Sequence, residues 1–145
     1  MLAEPEFSCG GVVVDHASEP PSCLVIVPTR RAAGGGKVLA LPKGHPDGQE
    51  SAEAAALREV REETGVVAVI RSTLGEVRYV YQRSGHKIEK VVRFFLMEYS
   101  AGSTDDHDHE VELVRWLPLD QAVAELSYAG EREMVQRAMA AVSSG

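Results

Sequence analysis

Residues 44–66 read GHPDGQESAEAAALREVREETGV, and the fold is read outward from this stretch. Ser51 to about Glu63 is predicted as a helix. Its alanines favour that state, Glu53 suits the positive end of the helix dipole, and Gly65 follows where a left-handed residue usually closes a helix. Ala54, not a glutamate, stands three residues after Ser51, so the full capping box is absent. At about 100° per residue, Glu59, Glu62 and Glu63 fall on one arc about 100° wide, and Ala56, Leu57 and Val60 make an apolar flank beside it. Three adjacent carboxylates repel one another. A hard divalent cation removes the repulsion and takes their oxygens as ligands, magnesium being the usual choice beside a phosphate. Glu50 reaches the same region from the preceding loop. Arg58 stands four residues before Glu62, the spacing of an ion pair along a helix.

The remaining composition narrows the classes of partner. The chain has 145 residues and a formal net charge of −7, enough length for one domain with its own core. Residues 1–145 are read as that single domain. Its 44% hydrophobic content is ordinary for a globular protein. No clustered basic stretch suggests a nucleic-acid polymer as ligand, and no apolar run approaches the roughly 20 residues of a membrane span. An acidic chain with a glutamate cluster fits a small, metal-bridged phosphate compound better. The start MLAEPEFS has no basic or apolar signal region, so a cytoplasmic protein is expected. Cys9 and Cys23, in apolar strand-like runs, are expected as buried free thiols. Two separated cysteines exclude a cysteine-type zinc site.

On either side of the helix the pattern is mostly of strands. Phe7–Val14 and Ser22–Val27 are β-type runs separated by the turn-forming HASEPP. TRRAAGGG is a flexible connection; its glycines lack the helix and lysine of a phosphate-binding loop. Lys37–Leu41 is predicted as a short strand delivering Pro42, Lys43 and Gly44. After Gly65, VVAVI and GEVRYVY read as two strands or one long bent one, and Lys90–Tyr99 as another. AGSTDDHDHE is a polar loop with His107 and His109 as solvated side chains, ELVRWLPL a strand, and Leu119–Leu126 a short helix. A last helix from about Glu131 to Val142 presents Met134, Val135, Ala138 and Met139 at helical spacing. This order predicts an α/β fold with a mixed sheet flanked by helices.

The stretch quoted above resembles the Nudix box, G-x5-E-x7-R-E-U-x-E-E-x-G-U with U aliphatic. Gly44, Glu50, Arg58, Glu59, Val60, Glu62, Glu63, Gly65 and Val66 match every specified position. The resemblance implies a Nudix-type α/β/α sandwich and a hydrolase of phosphoanhydride bonds that uses magnesium, with manganese as a substitute. It makes Glu59, Glu62 and Glu63 first-choice metal ligands, Glu50 a ligand or supporting group, and Arg58 the residue orienting those carboxylates. Lys43, directly before Gly44, is placed to touch a phosphate. The general base in this family is often a glutamate outside the box. Glu110, six residues before Trp116, is the candidate, and Glu112 points the same way if both lie on a strand; the box helix, through Glu59 or Glu63, is the alternative.

Similarity beyond the box, in LPKGH, KVVRFF and RWLPLDQAVAELSY, is to the diadenosine-polyphosphate hydrolase branch and a MutT-like group. The branch's lysine followed four residues later by an aromatic is matched by Lys90 and Phe94, where the usual tyrosine hydroxyl is missing. Lys90 and Phe94 share strand parity, as do Tyr79 and Tyr81, which offer stacking surfaces. Arg78 and Arg83 are further candidates for a long phosphate chain. The expected substrate is therefore a dinucleoside polyphosphate such as diadenosine tetraphosphate. Alternatives are a MutT-like house-cleaning activity on nucleoside triphosphates, oxidised purines included, and a nucleotide sensor without turnover. The oligomeric state stays open between monomer and homodimer.

Overall fold

The computed structural model describes residues 5–144. Among them, six strands form one mixed sheet: β1 (Glu6–Asp15), β2 (Ser22–Pro28), β3 (Lys43–Gly44), β4 (Val66–Arg83), β5 (His86–Gly102) and β6 (Val111–Pro118). The strand order is β4-β5-β1-β2-β6, with β3 against β1. Only the β1–β5 pairing is parallel. Alternation along β1 sends Val12 and Val14 to one face and Cys9 and Val13 to the other. β5 does the same with Val92, Phe94 and Leu96 against Phe95 and Met97. The first face is covered by α2 (Leu119–Glu125) and α3 (Ala129–Ser144) through Leu119, Ala122, Met134, Val135 and Ala138. The second is covered by α1 (Ala52–Thr64) through Ala55, Ala56 and Val60. This is the expected α/β/α sandwich. Complete burial of an aliphatic side chain such as Val60 contributes about 1.5–3 kcal/mol, enough to fix which face of α1 is left for chemistry.

The sheet is split where the site lies. β1 follows β5 over nine register pairs, from Glu6↔Lys90 to Val14↔Glu98, but pairs with β2 only at Val14↔Cys23 and Asp15↔Ser22. Below that point the strands diverge and residues 38–44 thread between them. Ala40 exchanges backbone hydrogen bonds with Ile26 at 2.8 and 2.9 Å, Gly11 N donates to Pro42 O, and Lys43–Gly44 pairs with Gly10 and Cys9. The strand expected at Lys37–Leu41 is therefore not formed. That segment is pinned by one bridge at Ala40, and Pro42, without an N–H, interrupts the ladder before β3 begins.

The open choice after Gly65 resolves to one strand. β4 runs 18 residues, with register shifts between Val67 and Ala68, Ile70 and Ser72, and Thr73 and Gly75 that bend it along β5. Ser84 and Gly85 turn it into β5 with φ of 52° and 78°, the positive pair a two-residue hairpin requires. β5 continues to Gly102, past the predicted end at Tyr99, and a 3-10 turn follows at Thr104–Asp106. α3 begins at Ala129, two residues before the predicted start, with Gly130 packed against Val77. Cys9 and Cys23 are free and fully buried, and burial pushes their thiols up to about 11 and about 12. No described helix is long and apolar enough to cross a membrane.

Candidate active site

Local chemistry holds α1 in place at both ends. Ser51 Oγ accepts from Ala54 N at 3.1 Å, and Gly65, at φ 79°, donates its N–H to Arg61 O at 2.8 Å. A Cβ at Gly44 would collide with the Glu59 carboxylate. Glycine is thus what lets β3 and α1 approach closely enough to share a site.

Arg58 organises the acidic side. Its Nε and one terminal nitrogen grip Glu50 at 2.9 and 3.0 Å, while the other terminal nitrogen bonds Glu59 at 2.8 Å and Glu62 at 3.0 Å. The His45 carbonyl accepts a further bond at 2.8 Å, and Asp47 lies 3.5 Å away. These bonds hold the guanidinium above its ordinary pKa and keep Glu50 below the usual carboxylate range. Glu59 and Glu63 are raised instead. Burial is the largest cause for both; Arg58 opposes the shift in Glu59. Glu63 is pushed up to about 8, by burial and by the Glu59 and Asp108 charges, against the 3.2 Å hydrogen bond from Lys43 N.

The donor set fits a hard cation: it is made of carboxylate oxygens, two of them on neighbouring, partly buried groups that resist ionising together without a compensating charge. Glu59 and Glu63 line the cleft, Glu59 while also bonded to Arg58, whereas Glu50 and Glu62 are turned to Arg58 and do not line it. Among the described residues, no three His, Cys, Asp or Glu side chains converge at metal-ligand spacing. Drawing Glu50 or Glu62 into a metal shell requires exchanging an Arg58 contact for the cation.

Two clefts meet here. The first, about 630 Å³, is lined by Glu59, Glu63, Glu110, Asp47 and Gly44 among others. The second, about 710 Å³, lies over β4, β5 and the start of α3 and is lined by Tyr79, Tyr81, Phe94, Arg78, Arg83 and Tyr128 among others. Arg30, Lys43, Tyr79 and Lys90 line both. Tyr79 sits opposite Lys90 in the β4–β5 register, so the two pairs expected on faces of their own, Lys90 with Phe94 and Tyr79 with Tyr81, form one wall. Phe94 is fully buried and serves as floor. The Tyr79 and Tyr81 rings lie 6.3 Å apart at 41°. Tyr81 gives its hydroxyl to Glu6, which also meets Arg83 at 3.3 Å. Burial holds the Lys90 amine below its ordinary pKa, and the Lys43, Arg30 and Arg83 charges add to this while Glu6 opposes it. A cationic wall that repels its own members suits an anion.

The strand argument joining Glu110 to Glu112 does not hold. Glu110 lies in the turn before β6, its N–H bonded to Asp108 Oδ1 at 3.1 Å, and its side chain borders the first cleft. Glu112 is held outside by Arg31 and Lys37, each at 3.0 Å. Tyr128 and Glu131, which the sequence reading passed over, also belong to the site. Glu131, 4% exposed, accepts from Leu41 N at 2.8 Å and pairs with Lys43 Nζ at 2.8 Å. Its signal was in the pattern: it lies three, four and seven residues before Met134, Val135 and Ala138, a carboxylate within the buried stripe.

Comparison with known proteins identifies the family and the fold. The family model of the NUDIX domain matches residues 9–138. "Putative mutator protein MutT4" of Mycobacterium tuberculosis is 37% identical over 137 residues, 94% of this chain and 55% of that protein. The 8-oxo-(d)GTP phosphatase of Mycolicibacterium smegmatis is 34% identical over 97 residues, 67% of this chain and 29% of its own. The chain therefore spans about half or less of these relatives. A binary complex of the C. elegans Ap4A hydrolase superposes with a TM-score of 0.73 at 19% identity, over 97% of this chain and 99% of that one. With the box on α1, the sandwich around it and a family match across nearly the whole length, the chain belongs to the Nudix family.

Proposed function

We propose that this domain is a magnesium-dependent pyrophosphohydrolase of nucleoside-diphosphate-linked compounds, with a dinucleoside polyphosphate such as diadenosine tetraphosphate as preferred substrate; manganese substitutes for magnesium. One observation carries the reading: the carboxylate cleft and the tyrosine cleft join through Arg30, Lys43 and Lys90, so a path lined by cations leads from Glu59 and Glu63 to Tyr79 and Tyr81. A phosphate chain with a base at its end matches that sequence of surfaces.

Phosphoanhydrides persist in water because their oxygens repel an attacking hydroxide. Glu59 and Glu63, joined by Glu62 or Glu50 on release from Arg58, would hold a divalent cation, which would supply charge neutralisation and lower the pKa of water. The protein's own groups do the rest. Arg58 keeps the carboxylates gathered, Lys43, Arg30 and Lys90 bind phosphate oxygens, and Tyr79 with Tyr81 offers a face to the base over the Phe94 floor. Glu110, at the rim of the first cleft, accepts the proton of the attacking water.

A second reading, a MutT-like pyrophosphatase of nucleoside triphosphates including oxidised purines, is favoured by the likeness to the mycobacterial 8-oxo-(d)GTP phosphatase. Competition between diadenosine tetraphosphate and 8-oxo-dGTP in one tube, with magnesium and product identification, separates the two. A clear preference for the triphosphate, releasing monophosphate and pyrophosphate, would replace the first reading by the second. No turnover of either compound would return the domain to nucleotide sensing.

A further inference from the structure

Lys43 stands at the seam of the two clefts, and its position is set from behind. Burial alone would favour the neutral amine, yet the Glu131 carboxylate holds its pKa above the ordinary lysine value. The pair is asymmetric: the Glu131 side chain is 5% exposed, that of Lys43 17%. Glu131 borders the second cleft only, whereas Lys43 borders both. An isolated buried ion pair is a poor way to tie a helix to a loop, because removing both charges from water offsets most of their attraction. Leu41 N already makes that tie to Glu131 Oε1. The second bond, to Lys43, calls for a use at its open end.

We propose that Glu131 is a positioning residue for the reaction, fixing the Lys43 ammonium where the phosphate chain passes from one cleft to the other. The next carboxylate acting on Lys43 is Glu63, which already accepts from the Lys43 backbone N–H. Without Glu131, the ammonium is drawn toward Glu63, away from the phosphate path and onto the acidic wall. Glu131 therefore keeps the cationic wall and the acidic wall apart. Tyr128, with its ring 5.9 Å from Lys43 Nζ, limits the side chain from the α3 side.

This inference rests on the phosphate-bearing substrate proposed above, and its test is a double-mutant cycle between Glu131→Gln and Lys43→Met. Glutamine keeps an acceptor for Leu41 N and removes the charge. Two measurements are made on each variant: kcat/KM on the best substrate of the parent, and calorimetric affinity for methylene-bridged ATP in EDTA. Misplacing a catalytic contact by about 1 Å costs up to about 10²-fold, so Glu131→Gln in the parent is expected to lose about 10–100-fold in kcat/KM and to bind the analogue more weakly. In the Lys43→Met background the same substitution should change either quantity by less than about twofold, because its target is gone. Equal losses in both backgrounds would overturn the proposal. Glu131→Asp, which keeps the charge but withdraws it by one methylene, runs the same cycle if Glu131→Gln fails to fold. Failure of both to fold would assign Glu131 to stability alone and also overturn it. The calorimetric cycle needs no turnover, so a parent that hydrolyses none of the nucleotides breaks the functional reading without deciding this one.

Discussion

On the acidic wall of the cleft one guanidinium hydrogen-bonds three carboxylates, Arg58 with Glu50, Glu59 and Glu62, while Glu63 accepts the Lys43 N–H and meets the Lys43 charge only at longer range. On the opposite wall Arg30, Lys43, Arg78, Arg83 and Lys90 outnumber Glu6, Glu76, Glu131 and Glu133 by one. Each wall thus holds charge that it does not balance internally. Burial accentuates the mismatch by raising Glu59 and Glu63 and depressing Lys90. A cation completes the first wall and a polyanion the second. Under the proposed function, a metal bridged to a phosphate chain would complete both at once, and an acidic chain could then take a highly anionic ligand.

The largest effect is expected on the acidic wall. Glu63→Gln should lower kcat by roughly 10²–10³-fold, the range for removing one preorganised electrostatic group, with much less change in KM. Glu62→Gln should cost less, since Glu62 is half-exposed and turned to Arg58. Steady-state kinetics on folded variants order the two; a Glu63→Gln enzyme with near-parent turnover would remove Glu63 from the machinery.

Glu110 comes next, at the meeting of the walls. Glu110→Gln is expected to reduce kcat by roughly 10²-fold, the lower end for a general base. Glu112→Gln, whose carboxylate is tied to Arg31 and Lys37 outside the cleft, should stay near parent. Equal slight losses for both would move the base to Glu59 or Glu63.

The cationic wall should show itself in binding. Tyr79→Ala should cost about 1–3 kcal/mol if a base stacks there, a figure from single-strand recognition. Lys90→Ala should raise KM for diadenosine tetraphosphate more than for a nucleoside triphosphate. Paired KM measurements on both substrates check this, and equal shifts would mean that the second cleft does not read chain length.

The two walls also differ in how far the sequence discloses them. Every member of the Arg58 cluster lies within residues 45–62, in α1 or the short loop before it, and helical spacing made Glu59, Glu62 and the helix end at Gly65 legible. The other wall joins Arg30, Lys43, Tyr79, Lys90, Tyr128 and Glu131 from five separate segments. Strand parity identified Tyr79 with Tyr81 and Lys90 with Phe94, but only the β4–β5 register joins the pairs. Lys37–Leu41 failed for the same reason: its continuous apolar run describes burial, while the split between β1 and β2 decides that it threads instead of pairing. Glu110 was nominated by likeness to the family, and the parity argument that grouped it with Glu112 does not apply because β6 begins at Val111, between them.

The smallest predicted effect is on stability and follows from the sign of the Glu63 shift. Its carboxyl is raised from the ordinary 4.5 to about 8. Below about pH 4.5 it is protonated in both the folded and unfolded chain, and its contribution is fully present. Between about 4.5 and 8 the unfolded chain releases the proton while the native one retains it, so stability falls as pH rises. Glu59, raised in the same direction, adds to the slope. The carboxylates held low by arginine, such as Glu50 and Glu76, lose their contribution only as pH falls and stay constant across this window. In EDTA, Tm is therefore expected to decline from pH 5 to pH 8, and Glu63→Gln should flatten the decline. Magnesium should reverse the trend, since it binds the ionised pair, so its stabilisation of Tm should grow with pH. Thermal unfolding across that range, with and without magnesium, measures both slopes. A Tm in EDTA that is flat with pH would mean that the acidic wall is already balanced without a cation, and the contrast between the two walls would disappear.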